Sequence, residues 1–377
     1  MPQVARGLEG VVAGTTALAL IDGRGGRLVY CGYDINDLAR HSTFEEVCYL
    51  LWHGRLPTRG ALAALADELR GMRDLPPSLF KLLRDLPENA HPLEALRTVI
   101  SPTLAFDAGD PEDESRETNL RRAKRLTALT STIVAAFHRI RQGKDPVAPR
   151  SDLSHAANFL YMLHAKVPDA LEQKALDTYC ILLAEHGYNA STFTARVIAS
   201  TLSDMYSAIC GAIGALRGPL HGGAAQWTMH MLLEIGSVDA VDAHIQTLFD
   251  QHKKVPGFGH RVYKVEDPRA RVLRDLSHRV AEKSGGMKWY EMSERVDAQV
   301  ARLRGTKEIY PNVDFYSASL LYNLGIPADL MTPMFAVSRM AGWTAHVIEQ
   351  QSDNRLIRPE SEYTGPTGLT YIPIAER

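Results

Sequence analysis

Cysteine is scarce in this chain of 377 residues: Cys31, Cys48, Cys180 and Cys210 stand far apart and form no Cys-x-x-Cys pair. Disulfide staples, zinc knuckles and iron–sulfur clusters need paired or closely spaced thiols, so none is expected, and a reducing cytosol fits best. Charge of one sign is also missing. The 42 basic and 44 acidic residues leave a formal net charge of −2, which gives no global pull toward nucleic acid or anionic lipid. No stretch reaches the roughly 18 uncharged apolar residues of a membrane span, and Met1 to Gly10 lacks the apolar core of a leader peptide. His-Glu-x-x-His and Gly-x-x-x-x-Gly-Lys-Ser/Thr are absent, as is Gly-x-Gly-x-x-Gly after a strand. Gly257 and Gly259 have no βαβ context, so no nicotinamide site is expected.

What is present is the balance of a globular protein, 45% apolar and 23% charged. At this length a single core stops growing, which implies two domains or one large domain with a smaller lobe. Two β-prone runs, Leu18 to Ile21 and Leu28 to Tyr30, flank a glycine-rich turn and read as a short N-terminal hairpin. Helices dominate afterwards. Ser42 and Thr43 each precede a glutamate by three residues, a capping-box signal for a helix ending at Gly54. Prolines cut the next fifty residues into short helices, and an amphipathic helix follows over about 116 to 142. Further helices are predicted at 154–164, 168–186, 191–202, 204–216, 222–235, 238–253, 267–284, 287–304, 314–324 and 332–351, with a coil-like tail. The fold class is all-α apart from the hairpin.

Chemistry concentrates where histidines meet glycines and helix ends. His186 precedes Gly187, His221 precedes Gly222-Gly223, and His260 follows Pro256-Gly257-Phe258-Gly259. Taken singly, each is more readily a hydrogen-bonded structural residue than a catalyst. Adjacent glycines, however, let a ligand or backbone approach closely. His221 stands before a helix N-terminus, which disfavours positive charge and leaves a neutral donor. Asp314 opens a helix, where it reads either as an N-cap or as a carboxylate held ionised and only modestly basic. A modest base beside a neutral donor suits removal of a proton α to a carbonyl, because the donor stabilises the enolate as it forms. Arginines complete the set: Arg269 after Asp267-Pro268, Arg358 before Pro359, and Arg339 inside an apolar helix. A charge among apolar neighbours needs a partner, either an internal carboxylate or one on a ligand.

Five segments in order resemble the citrate synthase family in its short bacterial and archaeal form. They are His186 to Thr192, Gly218 to Ala224, Pro256 to Arg269, Tyr310 to Ser317 and Val337-Ser338-Arg339. The match covers nearly the whole chain. It implies a helical large domain, 1–218 with 317–377, and a small domain, 219–316, closing over oxaloacetate so that acetyl-CoA can bind. By the same matching, Asp314 takes the methyl proton of acetyl-CoA, His221 stabilises the enol and His260 polarises the ketone of oxaloacetate. His186, Arg269, Arg339 and Arg358 hold carboxylates, Arg358 coming from the other subunit of a homodimer.

For CoA the resemblance implies the loop at Val255, Gly257, Phe258 and Gly259, with Lys264 and Arg271 as candidates for its phosphates. Citryl-CoA is then hydrolysed with no metal or redox cofactor. The longer form of the family has an extra N-terminal region unmatched here, so control by NADH is not expected. 2-Methylcitrate synthase shares the fold and catalytic set and differs in admitting propionyl-CoA, and one methylene in an apolar pocket is worth only about 1 to 3 kcal/mol. A non-catalytic helical ligand-binding protein would have to keep all five segments for packing alone.

Overall fold

The computed structural model describes residues 5–377; Met1 to Val4, part of the stretch read above for a leader, lie outside the described residues. The hairpin forms as β1 (Ala19–Asp22) and β2 (Arg27–Tyr30), in register Ala19 to Tyr30 and Asp22 to Arg27. A third strand, β3 (Tyr33–Asp34), pairs with β2 and makes an antiparallel meander, too short to be read from alternation. In the β1–β2 turn the Asp22 carboxylate accepts the N–H groups of Arg24 and Gly25 at 3.1 and 2.8 Å.

Sixteen α-helices follow among the described residues. The first five are α1 (Ile35–His41), α2 (Phe44–His53), α3 (Arg59–Gly71), α4 (Pro77–Asp85) and α5 (Pro92–Ile100). The next five are α6 (Arg116–Ile140), α7 (His155–His164), α8 (Ala170–Leu183), α9 (Ala190–Ser200) and α10 (Met205–Leu216). Then come α11 (Ala224–Ile235), α12 (Val241–Asp250), α13 (Pro268–Ser284), α14 (Met287–Leu303), α15 (Val313–Asn323) and α16 (Met331–Ser352). Among the described residues, no helix is long and apolar enough to cross a membrane.

α16 is buried on nearly every side, as its apolar composition requires, and packs against α6, α9, α10, α2 and α8. It is the axle of the larger core. α11 to α15 pack chiefly on one another, with α13 also reaching α8 and α1. Residue 316 falls inside α15, a continuous helix whose neighbours include α13, α11 and α14.

The caps correct two readings. α2 is capped by Thr43, whose hydroxyl takes the Glu46 N–H, and ends at Gly54 with φ +69°. The Glu46 carboxylate, however, accepts from the Ser42 hydroxyl at 2.7 Å, and Glu45 reaches 110 residues along the chain to take the His155 N–H at 2.8 Å. A tertiary partner takes Glu45 and the neighbouring Ser42 hydroxyl takes Glu46, so the local box does not close, and a reciprocal box forms at Asp169 and Glu172 instead. The helix expected over 238–253 is a short 3-10 turn, Val238–Ala240, followed by α12.

Glu45 and Asp177 are both buried, and Asp177 accepts the Phe44 N–H at 3.0 Å. Burial, and then the Glu45 charge, push the Asp177 carboxyl up to about 7. Between about pH 4 and 7 the native state therefore holds a proton that the unfolded chain has lost, so this residue's contribution to stability falls as pH rises. Asp177→Asn keeps an acceptor for Phe44 and removes the charge. Its unfolding free energy is expected to exceed wild type increasingly from pH 5 to pH 8, by up to about 4 kcal/mol. Parallel denaturation curves at the two pH values would refute this.

Candidate active site

α8 stops at Leu183, so Glu185, His186 and Gly187 leave the helix, and Gly187 takes φ +57°. His186 is buried and its Nε2 meets the Tyr263 hydroxyl at 3.3 Å. The rings of His186 and His260 stand edge to face, 5.2 Å between centroids. Burial, and then the charges of Arg269, His260 and Arg339, drive the His186 pKa far down. Two of the expected histidines therefore share one wall of a site.

His260 has its proton position fixed. Nδ1 accepts from the backbone N–H groups of Val262 and Tyr263 at 3.0 and 3.1 Å, so in the neutral ring the proton sits on Nε2. Burial, aided by Arg269, lowers its pKa to about 4. His221 has the opposite arrangement. Its Nε2 accepts the Ser191 N–H at 3.3 Å and lies 2.8 Å from the Ser191 hydroxyl, which leaves the proton on Nδ1. Trp343 Nε1 donates to the same hydroxyl at 3.1 Å. The His221 pKa is also lowered to about 4, by burial first and then Arg339. Burial and Arg339 thus favour the neutral ring, and α11 begins at Ala224, two residues beyond the start expected at Gly222.

Asp314 is corrected on both counts. The cap of α15 is Asn312, whose side chain accepts the Asp314 N–H at 2.9 Å, so Asp314 is free of that duty. Burial, reinforced by the Asp267 charge, outweighs the charges of Arg269 and Arg339 and raises the Asp314 carboxyl to about 6.

Arg269 is fully enclosed. Its Nε and Nη2 form a two-pronged pair with Asp267 at 2.9 and 2.7 Å, and Asp267 also accepts the Val313 N–H at 3.2 Å. Burial opposes both charges, yet the pairing holds Asp267 below and Arg269 above their usual ranges. Arg339 differs. Among the described residues it forms no ion pair; its Nε donates to the Leu183 carbonyl at 2.6 Å and its guanidinium lies 4.6 Å from the Phe335 ring centroid. At 1% exposure this is a buried cation with no carboxylate at ion-pair distance among the described residues, lowered to about 10 by burial despite the charge of Glu185. The internal salt bridge left open by the sequence does not form.

The 255–259 loop is sewn to the approach of α15. Gly259 N–H donates to the Tyr310 carbonyl at 2.8 Å, Asn312 N–H to the Gly257 carbonyl at 2.9 Å, and Phe258 stacks edge-on to Phe315. Gly257 is required, because a Cβ would meet Phe315 and Thr228 within 3 Å at φ +79°. Val255 is buried, and Lys264 is exposed. Arg271 is exposed and already paired with Glu266 at 2.6 Å. Arg358 stays out of this cluster, exposed on a tail anchored where Ile357 N–H donates to Ser200. Ser191 and Tyr263 lie within the motif segments 186–192 and 256–269, and only the fold makes them partners of His221 and His186.

The family model for the citrate synthase C-terminal domain matches residues 7–360. A citrate synthase of Haloferax volcanii is 50% identical over 379 residues, spanning 100% of this chain and 99% of the relative. A 2-methylcitrate synthase of Shewanella oneidensis is 42% identical over 373 residues, 98% of this chain and 97% of the relative. The solved ternary complex of carboxymethyl coenzyme A and oxaloacetate with citrate synthase from Thermoplasma acidophilum superposes with a TM-score of 0.94 at 32% identity, covering 100% of both chains. Matched over essentially its whole length in sequence and in fold, the chain belongs to the citrate synthase family of acyl-transferring enzymes.

Proposed function

We propose that the protein condenses acetyl-CoA with oxaloacetate and hydrolyses the resulting citryl thioester to citrate and CoA. One arrangement carries the reading: His221 and His260, each with one ring nitrogen already accepting backbone N–H groups, and Asp314, left free by the Asn312 cap, gather around Arg269 and Arg339, where burial raises the carboxyl and lowers both histidines. At neutral pH that set is one carboxylate base and two neutral N–H donors, each with its proton placed. Asp314 removes a methyl proton from acetyl-CoA, and the Nδ1–H of His221 stabilises the enolate oxygen. The Nε2–H of His260 polarises the oxaloacetate ketone, and the enol carbon attacks it. Water then cleaves the thioester and releases CoA.

The dicarboxylate is held by Arg339, whose open guanidinium suits it, with Arg269 and His186 beside it. Arg358 comes from a second copy in a homodimer. The tail supports that arrangement, because Leu369, Tyr371 and Ile374 are each more than three-quarters exposed on their own chain. CoA lies along the 255–259 loop with Lys264 and Arg271 near its phosphates. The closing lobe is the small domain, 219–316, whose second boundary falls within α15. Proton transfer among these groups calls on no metal or redox cofactor, and the four unpaired thiols suit the cytosol.

Purified protein is expected to release free thiol only when acyl-CoA and oxaloacetate are both present, at a rate unchanged by excess chelator. Acetyl-CoA is expected to exceed propionyl-CoA in kcat/KM. Thiol release without oxaloacetate, or abolition by EDTA, would sink the assignment. A ratio favouring propionyl-CoA would instead make the activity that of a 2-methylcitrate synthase.

A further inference from the structure

The N-terminal meander lies far from the catalytic segments in sequence and against them in space. Ile21, at the end of β1, packs on Gly187, where a Cβ would stand 3.1 Å from Ile21 Cδ1. Two residues on, the Gly23 carbonyl accepts the Lys264 N–H at 2.8 Å. Gly23 has no room for a side chain: an added Cβ would lie 2.2 Å from the Val262 carbonyl oxygen. Gly26 is similarly close to Val265.

The loop after His260 thus spends three successive N–H groups on two anchors. Those of Val262 and Tyr263 go to His260 Nδ1, and that of Lys264 goes to Gly23. The inner pair fixes the histidine's tautomer and orientation, and the outer bond fixes the loop that supplies the pair. The same three-residue stretch, Ile21 to Gly23, also buttresses the segment carrying His186, whose ring touches that of His260.

We propose that the β1–β2 turn is a positioning element for the reaction, in which the Gly23 carbonyl, through the Lys264 N–H, holds His260 Nε2–H where it meets the substrate carbonyl. This rests on the role given to His260 above. Gly23 touches no reacting atom and acts only through the loop.

Three variants test it, with kcat, KM for oxaloacetate and melting temperature measured for each. Gly23→Ala displaces the loop and is expected to lower kcat about 10- to 100-fold, the scale of a misplacement near 1 Å. Arg24→Ala, in the same turn but exposed, is expected to stay within about twofold of wild type, as surface changes do. In a His260→Ala background Gly23→Ala is expected to cost less than about a further twofold, because the two changes remove one function. If Gly23→Ala does not fold, Asp22→Ala loosens the turn without adding atoms and is expected to lower kcat in wild type but not in His260→Ala. A folded Gly23→Ala enzyme with near-normal kcat, or equal losses in both backgrounds, would overturn the proposal. Normal activity of His260→Ala alone would instead overturn the role of His260.

Discussion

Asp314→Asn, His221→Ala and His260→Ala are each expected to lower kcat at least about 100-fold, the usual scale for losing a positioned base or carbonyl donor. The structure separates this from a folding effect. Asn312 caps α15, so replacing Asp314 removes no cap. Because burial raises the Asp314 carboxyl to about 6, its charge is a liability to the fold above that pH, and Asp314→Asn is expected to melt at or above the wild-type temperature at pH 8. In the wild-type enzyme kcat/KM for acetyl-CoA is expected to fall as pH drops through about 6, where the base takes up its proton, with the slope of a single group. The histidines titrate near 4 and add nothing to that limb. An acid limb at the ordinary carboxylate range near 4 would mean that a different group is the base. A variant keeping near-normal kcat while losing several degrees of melting temperature would mark that residue as structural.

These expectations depend on what the chain discloses locally and what only packing supplies. Helix periodicity and breakers locate α6, α13 and α16 within a few residues, because their signals are confined to the segment itself. The glycine-flanked histidines are legible for the same reason: Gly257 and Gly187 are demanded by backbone geometry within their own loops. Protonation is a different matter. His221 is neutral because of burial and Arg339, and its proton is on Nδ1 because Ser191, thirty residues earlier, faces Nε2. Nothing next to His221 encodes either fact. Asp314 shows the limit most clearly, since its place in the first turn of α15 argues for a low pKa and its surroundings impose a higher one. Local dipoles can be read from sequence, whereas desolvation depends on neighbours brought in by distant segments.

Mixing inactive His221→Ala and Arg358→Ala chains under conditions of subunit exchange is expected to restore activity from near zero to about half that of wild type per heterodimer. Arg358 has no partner in its own chain's cluster and stands on an exposed tail just beyond the Ser200 anchor. The apolar side chains that follow it, Tyr363, Leu369, Tyr371 and Ile374, stay largely exposed on this chain. A tail so placed gains most by lying on a second copy, and Arg358 would travel with it to the partner's site. In that arrangement one site of each heterodimer carries both lesions and the other carries none. If Arg358 served its own chain instead, every site would keep one lesion and no activity would return. Recovery therefore reports geometry across the interface, independent of how much each single substitution costs. Absence of recovery, with exchange verified by differently tagged chains, would remove Arg358 from the partner's site. The dicarboxylate would then be held by Arg269, Arg339 and His186 alone.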